Sequence, residues 1–235
     1  MRAVPALEIV DTEDRKETLA SAVYDRLRQA IITVAIAPGE KLNIRSLCDR
    51  FGVGLSPMRE ALSRLSSEGL VTQIDHRGFA VTGLSEEDLI DLTRARSWLN
   101  ELAIRNSIAN GDAAWEENVV LCFHRLSRTP RFEPGSEDTR SAKWELAHRK
   151  FHSSLIAASG SSRIEQYCEH LFDSSERYRH VGRKAGIKGE NRDSEHKALM
   201  EAVVARDAEA AAKLIKAHFE HTAELVRKVL HDRAL

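Results

Sequence analysis

Hydrophobic residues recur every four positions near the start of the chain, and this spacing predicts an amphipathic helix over residues 17–35. The repeat consists of Leu19, Val23, Leu27 and Ile31. The breaker Ala37-Pro38-Gly39 follows the predicted helix. Residues 1–16, by contrast, are polar, acidic and without a period, which is typical of a flexible arm.

Two short helices joined by a tight turn are predicted next. Asn43 can cap the first of them, and Gly52 can end it. Ser56 can cap the second helix, with Pro57 at its first helical position, where a missing N–H has no cost. Gly69 stands where this helix should end. The buried stripe of the second helix consists of Met58, Ala61, Leu62 and Leu65.

Two β-like runs, Leu70–Ile74 and Phe79–Thr82, predict a hairpin after the second helix. The turn between them consists of Asp75, His76, Arg77 and Gly78. Helix, turn, helix and hairpin together predict a winged helix-turn-helix domain over residues 17–82, a fold that lays its second helix in the DNA major groove. A helical hairpin that only packs is the alternative, because the same spacing also occurs without DNA binding.

The rest of the chain, residues 83–235, has helical spacing and no strand-like alternation. Ser85 and Asp88 predict a capping box at the start of this region. Six helices are predicted, over residues 85–110, 112–127, 138–159, 161–181, 190–206 and 207–231. The predicted fold class is therefore mainly α, with a winged helix-turn-helix followed by an all-α antiparallel bundle of six helices.

Composition places the chain in the ordinary globular class and changes the DNA-binding prediction in one respect. The 235 residues carry a formal net charge of −1, and 42% of them are hydrophobic. Residues 1–80 contain 11 acidic and 11 basic side chains, so a phosphate-binding surface must come from local clustering rather than bulk charge. The candidate cluster is Arg45, Arg59, Arg64 and Arg77.

Cysteine usage and hydropathy predict the cellular compartment of the protein. Cys48, Cys122 and Cys168 are odd in number and widely spaced, which favours reduced thiols over a disulfide framework. No apolar run has the length of a membrane span, and the N-terminus lacks the apolar core of a signal peptide. We therefore expect a cytoplasmic protein with no membrane partner.

Nine of the ten histidines lie in residues 83–235, and four of them form a candidate metal site. His148 and His152 are four residues apart and therefore share one helix face. His196 and His218 lie on the last two predicted helices. Imidazoles from three helices of a bundle can bind a transition metal, although a lone helical histidine more often has a structural role.

The stretch APGEKLNIRSLCDRFGVGLSPMREALSRLSSEGLV resembles the DNA-binding domain of GntR-type bacterial transcriptional regulators. The shared features are the PG and GV turns, the P-x-R-E-A-L helix and the EGLV entry to the wing. This resemblance implies that Arg45, Arg59, the start of the second helix and the wing tip contact operator DNA. Arg59 and Ser63 share one polar face of that helix. The implied DNA-binding residues are Arg45, Gly54, Leu55, Ser56, Arg59, Ser63, His76, Arg77 and Gly78.

Leu55 departs from the GntR pattern, because the family usually has an arginine at its position. A leucine side chain cannot make the bidentate contact to guanine that an arginine makes. We therefore expect the operator of this protein to differ from the common consensus of the family.

Four stretches of the second region resemble the FCD effector-binding domain, which follows the winged helix in one GntR subgroup. These are RARSWLNELA, HRKFHSSLIAASG, SEHKALMEAVVARD and AAKLIKAHF. The resemblance implies a divalent metal bound by His148, His152, His196 and His218, with His148 in the place of the usual aspartate. A set of imidazoles favours Zn, with Ni or another transition metal as alternatives. Glu145 is a spare carboxylate on the same helix, and either it or His148 could be the fourth ligand.

The same resemblance implies a small organic acid as effector, since an open position on a metal can anchor a carboxylate. Arg96 matches a family arginine that reaches toward the ligand, and Asn100 stands where glutamate is usual. Arg177 and Tyr178, with Arg179 beside them, are weaker candidates for effector contacts. The likeness of the chain to regulators of glutarate and γ-aminobutyrate catabolism implies a dicarboxylate such as glutarate.

The predicted function is a homodimeric, ligand-responsive regulator, more plausibly a repressor than an activator, that binds a palindromic double-stranded operator. A metal sensor, in which the ion itself is the signal, is one alternative. A helical metalloenzyme is another, but the sequence contains no HExxH motif, nucleophile elbow or P-loop. We therefore predict that the protein is not an enzyme.

Overall fold

Nine helices and three short strands follow one another along the residues that the computed structural model describes, which are 18–74, 78–136, 139–184 and 193–233. The chain divides into two compact units, residues 1–84 and 85–235. The predicted arm, residues 1–16, and the predicted wing-tip residues Asp75, His76 and Arg77 lie outside the described residues. None of the described helices has the length and apolar character needed to cross a membrane.

The first unit consists of three helices and a three-stranded antiparallel sheet in the order β1-β3-β2. Its central strand pairs with both others, as Leu42 faces Phe79 and Val71 faces Val81. The sequence analysis missed β1, because a strand of two residues is too short to show a period. The elements are α1 (Leu19–Ile32), β1 (Lys41–Leu42), α2 (Ile44–Phe51), α3 (Leu55–Ser67), β2 (Val71–Ile74) and β3 (Gly78–Val81).

The ends of α2 confirm the predicted signals. The Asn43 side chain accepts a hydrogen bond from the backbone N–H of Ser46 at 3.1 Å. Gly52 adopts the left-handed conformation with φ 67°, which ends the helix without the strain that a Cβ would cause. The end of α3 is similar, since Gly69 has φ 72° directly after its C-cap residue Glu68.

The predicted start of α3 is wrong by two residues. Gly54 is the N-cap residue, and none of the described side chains makes a capping hydrogen bond there. Ser56 is therefore the second residue of the helix, and Pro57 is the third. Proline is tolerated at this place because the first four N–H groups of a helix have no partner within it. Leu55 becomes the first helical residue, with 54% of its surface exposed.

The core of the first unit is apolar and involves all three helices. Leu27 from α1 and Met58, Leu62 and Leu65 from α3 are fully buried. A polar contact at its edge also joins α1 to the end of α3, where the Tyr24 hydroxyl donates to Glu68 at 2.5 Å.

Six helices form the second unit, as predicted from the sequence. The largest shift in their ends is at α6, because residues before it form a loop closed by a bridge between Phe132 and Arg140. The Ser141 N–H also donates to the Arg131 carbonyl at 3.1 Å. The helices are α4 (Glu86–Asn110), α5 (Ala113–Arg128), α6 (Ala142–Ile156), α7 (Ser162–Lys184), α8 (Asp193–Val204) and α9 (Ala208–Arg233).

The start of α4 forms only half of the predicted capping box. The Ser85 hydroxyl accepts from the Asp88 N–H at 3.1 Å, as predicted. The reciprocal place is taken by Tyr178 of α7, whose hydroxyl accepts from the Ser85 N–H at 3.2 Å and lies 2.5 Å from the Asp88 carboxylate. Burial and this carboxylate raise the pKa of Tyr178. Tyr178 therefore joins α7 to the N-terminus of α4.

Candidate metal centre and nucleic-acid interface

Four histidines from three helices meet in the core of the bundle. His148 and His152 lie one turn apart on α6, His196 comes from α8, and His218 comes from α9. One ring nitrogen of each lies within 4.8 Å of the others, and the Nε2 atoms of His148 and His152 are 3.2 Å apart. Two imidazole nitrogens on one tetrahedral Zn²⁺ are about 3.4 Å apart, given Zn–N bonds of about 2.0–2.1 Å. The spacing of the cluster therefore fits one transition-metal ion.

Burial favours the neutral form of three of these imidazoles, those of His148, His152 and His196. His148 is 2% exposed and His196 is 3% exposed, and the other two are also buried. Burial, followed by the neighbouring imidazoles, holds the pKa values of His148 and His152 well below their usual range. Burial lowers the pKa of His196 to about 2. A metal binds the neutral form of imidazole, so the site needs little proton release before it can bind an ion.

Some ring nitrogens of the cluster lack a hydrogen-bond partner among the described residues, and coordination to a metal would give such an atom a partner. Both ring nitrogens of His196 are buried and have no hydrogen-bond partner among the described residues. Buried polar atoms in folded proteins almost always have one. In contrast, Nδ1 of His218 lies 2.7 Å from the Glu195 carboxylate. This carboxylate orients the ring and leaves Nε2 for the centre of the cluster, as second-layer carboxylates do in metal sites.

A cavity of about 80 Å³ adjoins the cluster. Three of the four histidines line it: His148, His196 and His218. Four arginines form much of the remaining wall, and these are Arg131, Arg140, Arg179 and Arg183. The cavity thus joins a group of metal-binding side chains to a strongly basic wall, an arrangement suited to a small anion.

Two of the wall arginines already have carboxylate partners. Arg179 pairs with Glu176, and Arg183 lies 3.4 Å from Glu145. Burial lowers the pKa of Arg179 to about 9, and it also lowers the pKa of Arg183, in each case against the opposite effect of Glu145. The Arg179 guanidinium still carries its charge at neutral pH, because a pKa of about 9 lies above 7.

Arg140, unlike Arg179 and Arg183, has no carboxylate partner among the described residues. Its Nε and Nη1 atoms are buried and lack hydrogen-bond partners among the described residues. The guanidinium stacks on the ring of Trp144, with its Cζ atom 4.7 Å from the ring centroid. His148 stacks on the same indole at a centroid distance of 4.8 Å. Trp144 therefore holds Arg140 and a candidate metal ligand beside one another.

The four residues predicted to bind the effector lie outside the described lining of this cavity. Arg96 is buried with its Cζ 3.9 Å from the Phe219 ring centroid, and its charge lowers the pKa of His152. The Asn100 amide donates to the Arg96 carbonyl at 3.0 Å. Arg177 is buried near the charges of Asp88 and Tyr178, and Tyr178 contacts the start of α4, as described above. Arg96 supports the cluster from within the core.

Sequence reasoning missed most of the basic wall, although part of its signal was available. Arg179 was named only as a weaker candidate. Arg183 lies one turn after Arg179 on α7, and both line the cavity, so helical spacing could have extended the first to the second. Arg131 and Arg140 had no such signal, because only the closed loop between α5 and α6 brings them together. Glu145, the alternative ligand, also lines the cavity.

The predicted DNA-binding residues of α2 and α3 lie on exposed surface. Met58, Ala61, Leu62 and Leu65 turn into the core, so the opposite face of α3 is free to meet a partner. The exposed residues of the predicted set are Arg45, Gly54, Leu55, Ser56, Arg59 and Ser63. In the first unit, therefore, an apolar core supports an exposed helix face of polar residues and Leu55.

The predicted phosphate-binding arginines differ in their contacts, and Arg77 lies outside the described residues. Arg64 lies over the ring of Tyr24, with its Cζ 4.0 Å from the centroid, and its Nη1 lies 3.3 Å from the Ser21 hydroxyl. It therefore packs against α1. Gly78 is the first residue of β3 rather than part of the turn, with φ 95°. Arg45, Arg59 and Arg64 are all exposed, and Arg64 is the one of the three that packs against α1.

Comparisons with known proteins agree with this architecture. Residues 19–81 match the family described as bacterial regulatory proteins, gntR family, and residues 91–221 match the FCD domain. The chain is 36% identical over 211 residues to the uncharacterized HTH-type transcriptional regulator BphR of Paraburkholderia xenovorans, covering 90% of this chain and 86% of BphR. It is 33% identical over 199 residues to the HTH-type transcriptional repressor GlaR of Escherichia coli, covering 83% of this chain and 90% of GlaR.

Solved structures show the same fold. A putative transcriptional regulator GntR from Rhodococcus sp. RHA1 matches with a TM-score of 0.69 at 25% identity, covering 88% of this chain and 96% of that one. McbR/YncC of E. coli matches with a TM-score of 0.69 at 17% identity, covering 93% of this chain and 99% of that one.

The winged helix and these relatives define a DNA-binding transcriptional regulator of the repressor-like type, and not an enzyme. The chain belongs to the GntR family, in the subgroup whose second domain is an FCD domain.

Proposed function

We propose that the protein is a homodimeric repressor that binds one divalent metal per chain and responds to a small organic acid. His148, His152, His196 and His218 hold the metal in this proposal, with Zn²⁺ as the first choice and Ni²⁺ or another transition metal as alternatives. The observation that carries the proposal is the buried cluster of four imidazoles, in which neither ring nitrogen of His196 has a hydrogen-bond partner among the described residues.

The basic wall supports an acid with two carboxylates, such as glutarate. A metal supplies a Lewis-acidic position that can anchor one carboxylate beside the histidines. Arg140 supplies buried donors for a second anionic group, because Arg179 and Arg183 already pair with Glu176 and Glu145. Its planar guanidinium can bind a carboxylate through two parallel hydrogen bonds.

The volume of the cavity supports a short acid. One ordered water needs about 10–15 Å³ of such volume, so the cavity of about 80 Å³ holds roughly six water-sized groups. This is the scale of an acid with a few carbons, and it is small for a nucleotide or a long acyl chain. Trp144, Leu225 and Val226 provide apolar wall for the chain between the acidic groups.

To release DNA, the effector must bind one arrangement of the dimer more tightly than the other. A ligand with equal affinity for both arrangements does not change the equilibrium between them. Two winged helices related by a twofold axis fit two half-sites of a palindromic operator, with each α3 in a major groove. Arg59 and Arg45 then contact DNA from the exposed surface described above.

The test is elemental analysis of the purified protein, followed by thermal unfolding with glutarate, succinate and butyrate, before and after metal removal. We expect about one metal per chain and a stabilisation by a dicarboxylate that exceeds that by butyrate and disappears without metal. Metal-free protein that binds no added Zn²⁺ or Ni²⁺ would refute the metal centre. A metal-loaded protein that responds equally to butyrate would refute the role given to Arg140.

A metal sensor is the second candidate, and the number of histidines favours it. Four imidazoles can complete a tetrahedral shell, which is typical of sites with no position for a ligand. A sensor should lose or gain operator affinity reversibly when the metal is removed and restored, with no acid present. An operator-binding titration across free Zn²⁺ concentrations separates the two candidates, because the effector sensor should need the acid as well.

A further inference from the structure

The cavity beside the histidine cluster has one acidic side chain in its described lining, that of Glu145. Glu145 lies three residues before His148 on α6, so the two side chains share one helix face. An oxygen of the Glu145 carboxylate lies within 4.8 Å of a ring nitrogen of His148. A negative charge therefore stands beside the candidate metal centre, in a cavity whose other charged side chains are basic.

The Glu145 carboxylate is compensated by an arginine of a neighbouring helix. Its Oε1 atom lies 3.4 Å from Nη2 of Arg183 on α7. That oxygen is buried and accepts no hydrogen bond from the described residues, so the contact is an ion pair rather than a hydrogen bond. Burial lowers the pKa of Arg183, and the charge of Glu145 acts in the opposite direction. Charges in such a partly buried place interact several times more strongly than they do in water.

The positive groups of the cavity are sufficient for two anionic groups of a ligand. The metal of the proposed function provides one position, and Arg140 provides the second through its buried donors. Arg179 is already paired with a carboxylate of α7, and Arg131 has an interaction partner of its own. A third anionic group would therefore meet Arg183 and Glu145 together, where the attraction of the arginine is offset by the repulsion of the carboxylate.

We infer that Glu145 is the residue that limits the effector to two carboxylates. Its negative charge holds Arg183 and repels a third anionic group, so the cavity accepts a dicarboxylate and rejects the tricarboxylate of the same length. Discrimination of this kind comes from a repulsive group rather than from an added contact. The inference rests on the proposed function and adds a selectivity to it. It assigns Glu145 to the effector cavity, since the four histidines can complete a tetrahedral metal shell without it.

The first test compares three acids by isothermal titration calorimetry on the metal-loaded, full-length protein at about pH 8, where carboxylates are ionised. Propane-1,2,3-tricarboxylate is glutarate with a third carboxylate on its central carbon. In 3-methylglutarate an uncharged methyl group occupies the same carbon, so this acid controls for size. We expect Glu145→Gln to raise the affinity for the tricarboxylate relative to glutarate at least about tenfold, and to leave the ratio of 3-methylglutarate to glutarate unchanged.

A control variant and the wild-type measurement separate the possible outcomes. Glu117→Gln, at an exposed acid of α5, makes the same change of net charge outside the cavity and should keep the wild-type preference for glutarate. A wild-type protein that binds no dicarboxylate overturns the proposed function and this inference together. A wild-type protein that binds glutarate, with the same preference in Glu145→Gln, overturns this inference alone. Loss of metal from Glu145→Gln would make Glu145 a metal ligand and would also overturn it.

The second test is a double-variant cycle on Glu145 and Arg183. Arg183→Gln leaves the Glu145 charge without its arginine and should weaken glutarate binding at least about tenfold. Addition of Glu145→Gln removes that charge and should restore the affinity to within about threefold of wild type. An arginine that contacted the effector directly would allow no such rescue. A double variant that binds glutarate as weakly as Arg183→Gln would therefore overturn the role given to Glu145, provided that circular dichroism shows both variants folded.

Discussion

The two folded units place their polar side chains in opposite ways. In the described part of the first unit, every buried side chain is apolar, and the residues of α2 and α3 predicted to face DNA are exposed. Among the described residues of the bundle, fifteen polar or charged side chains are buried, including four histidines and two arginines. A long polymer can be contacted only from an exposed face, whereas a small ligand is bound most strongly by groups arranged beforehand in an enclosed site. The position of the polar groups therefore differs with the size of the ligand.

Some charged and polar groups of the bundle have partners within the protein, whereas others have buried atoms without one. Arg149 pairs with Glu169 at 2.8 Å and also with Asp173, so its charge is compensated within the protein. Arg140 and His196 bury polar atoms that have no such partner among the described residues. A buried polar atom without a partner costs about 1–3 kcal/mol, and a ligand of the kind proposed above would remove this cost.

The largest expected effect is the loss of metal when the polar core is altered. We predict that His196→Ala lowers the affinity for the metal more than about 100-fold, because even the loss of a second-layer partner costs about 10–100-fold. A chelator competition titration on the full-length protein measures the change. His124→Ala, which alters an exposed histidine on α5, is the matched control. Full occupancy in the His196→Ala protein at low free metal would contradict the assignment.

An alanine substitution in the apolar core of the first unit should lower stability rather than metal affinity. Met58 is fully buried between α1 and α3, and Met58→Ala should lower the free energy of unfolding of the first unit by about 2–5 kcal/mol. Urea unfolding followed by far-UV circular dichroism gives this value. Ser63→Ala on the exposed face of the same helix should change it by less than about 0.5 kcal/mol. Similar losses in both variants would show that the two faces do not differ.

A substitution on the exposed face of α3 is expected to have a smaller effect, and this effect is on operator affinity. We predict that Arg59→Ala weakens operator binding by about 1–3 kcal/mol while the unfolding free energy stays unchanged, because the side chain is exposed and free of the core. Fluorescence anisotropy at fixed salt measures the affinity. Arg163→Ala removes an exposed arginine of α7 and should leave the affinity as in wild type. An unchanged affinity in Arg59→Ala would remove this residue from the interface.

The smallest expected effect is a dependence of bundle stability on pH. Burial, followed by Arg183 and Arg179, lowers the pKa of His180 to about 3, while the unfolded chain retains the usual value near 6.5. The unfolded state therefore binds the proton more strongly, and stability falls as pH decreases below about 6.5. Between pH 7.5 and 5.5 this group should contribute a loss of about 1 kcal/mol.

His180→Gln tests that contribution, since glutamine has no charge to gain. Urea unfolding of the metal-free protein at both pH values should show a smaller loss in His180→Gln than in wild type. Metal removal from both samples keeps pH-dependent loss of metal out of the comparison, and titration of the histidine cluster is common to the two proteins. Equal losses in the two proteins would contradict the role of His180.

Local chemistry predicted most element boundaries but not all of them. Asn43, Gly52 and Gly69 act through their own side chain or backbone, so their effects on α2 and α3 could be predicted from sequence. Ser56 was assigned to the cap of α3 because it is a good capping residue, yet Gly54 holds that position. The interior packing of Met58 and Leu62 determines where α3 begins, and a cap adds only about 1 kcal/mol.

In the candidate site, too, some features could be predicted from the local sequence and others could not. The spacing of His148 and His152 predicts a shared helix face, and the helical patterns around His196 and His218 place them on two further helices. The effector residues were less predictable, since Arg177 and Tyr178 have the right chemistry but lie near the start of α4. Their neighbour Arg179 lines the cavity, because successive residues of a helix point about 100° apart.

By itself, the sequence determined the fold class, the order of the helices and the four histidines, because helical period and capping chemistry act over a few residues. Tertiary structure alone decided that Arg131, Arg140, Arg179 and Arg183 share one cavity, and that Tyr178 completes the cap of α4. These contacts join residues far apart in the chain. Only the packing of whole helices brings them together, and no local pattern of hydrophobic and polar residues encodes which side chains will then meet.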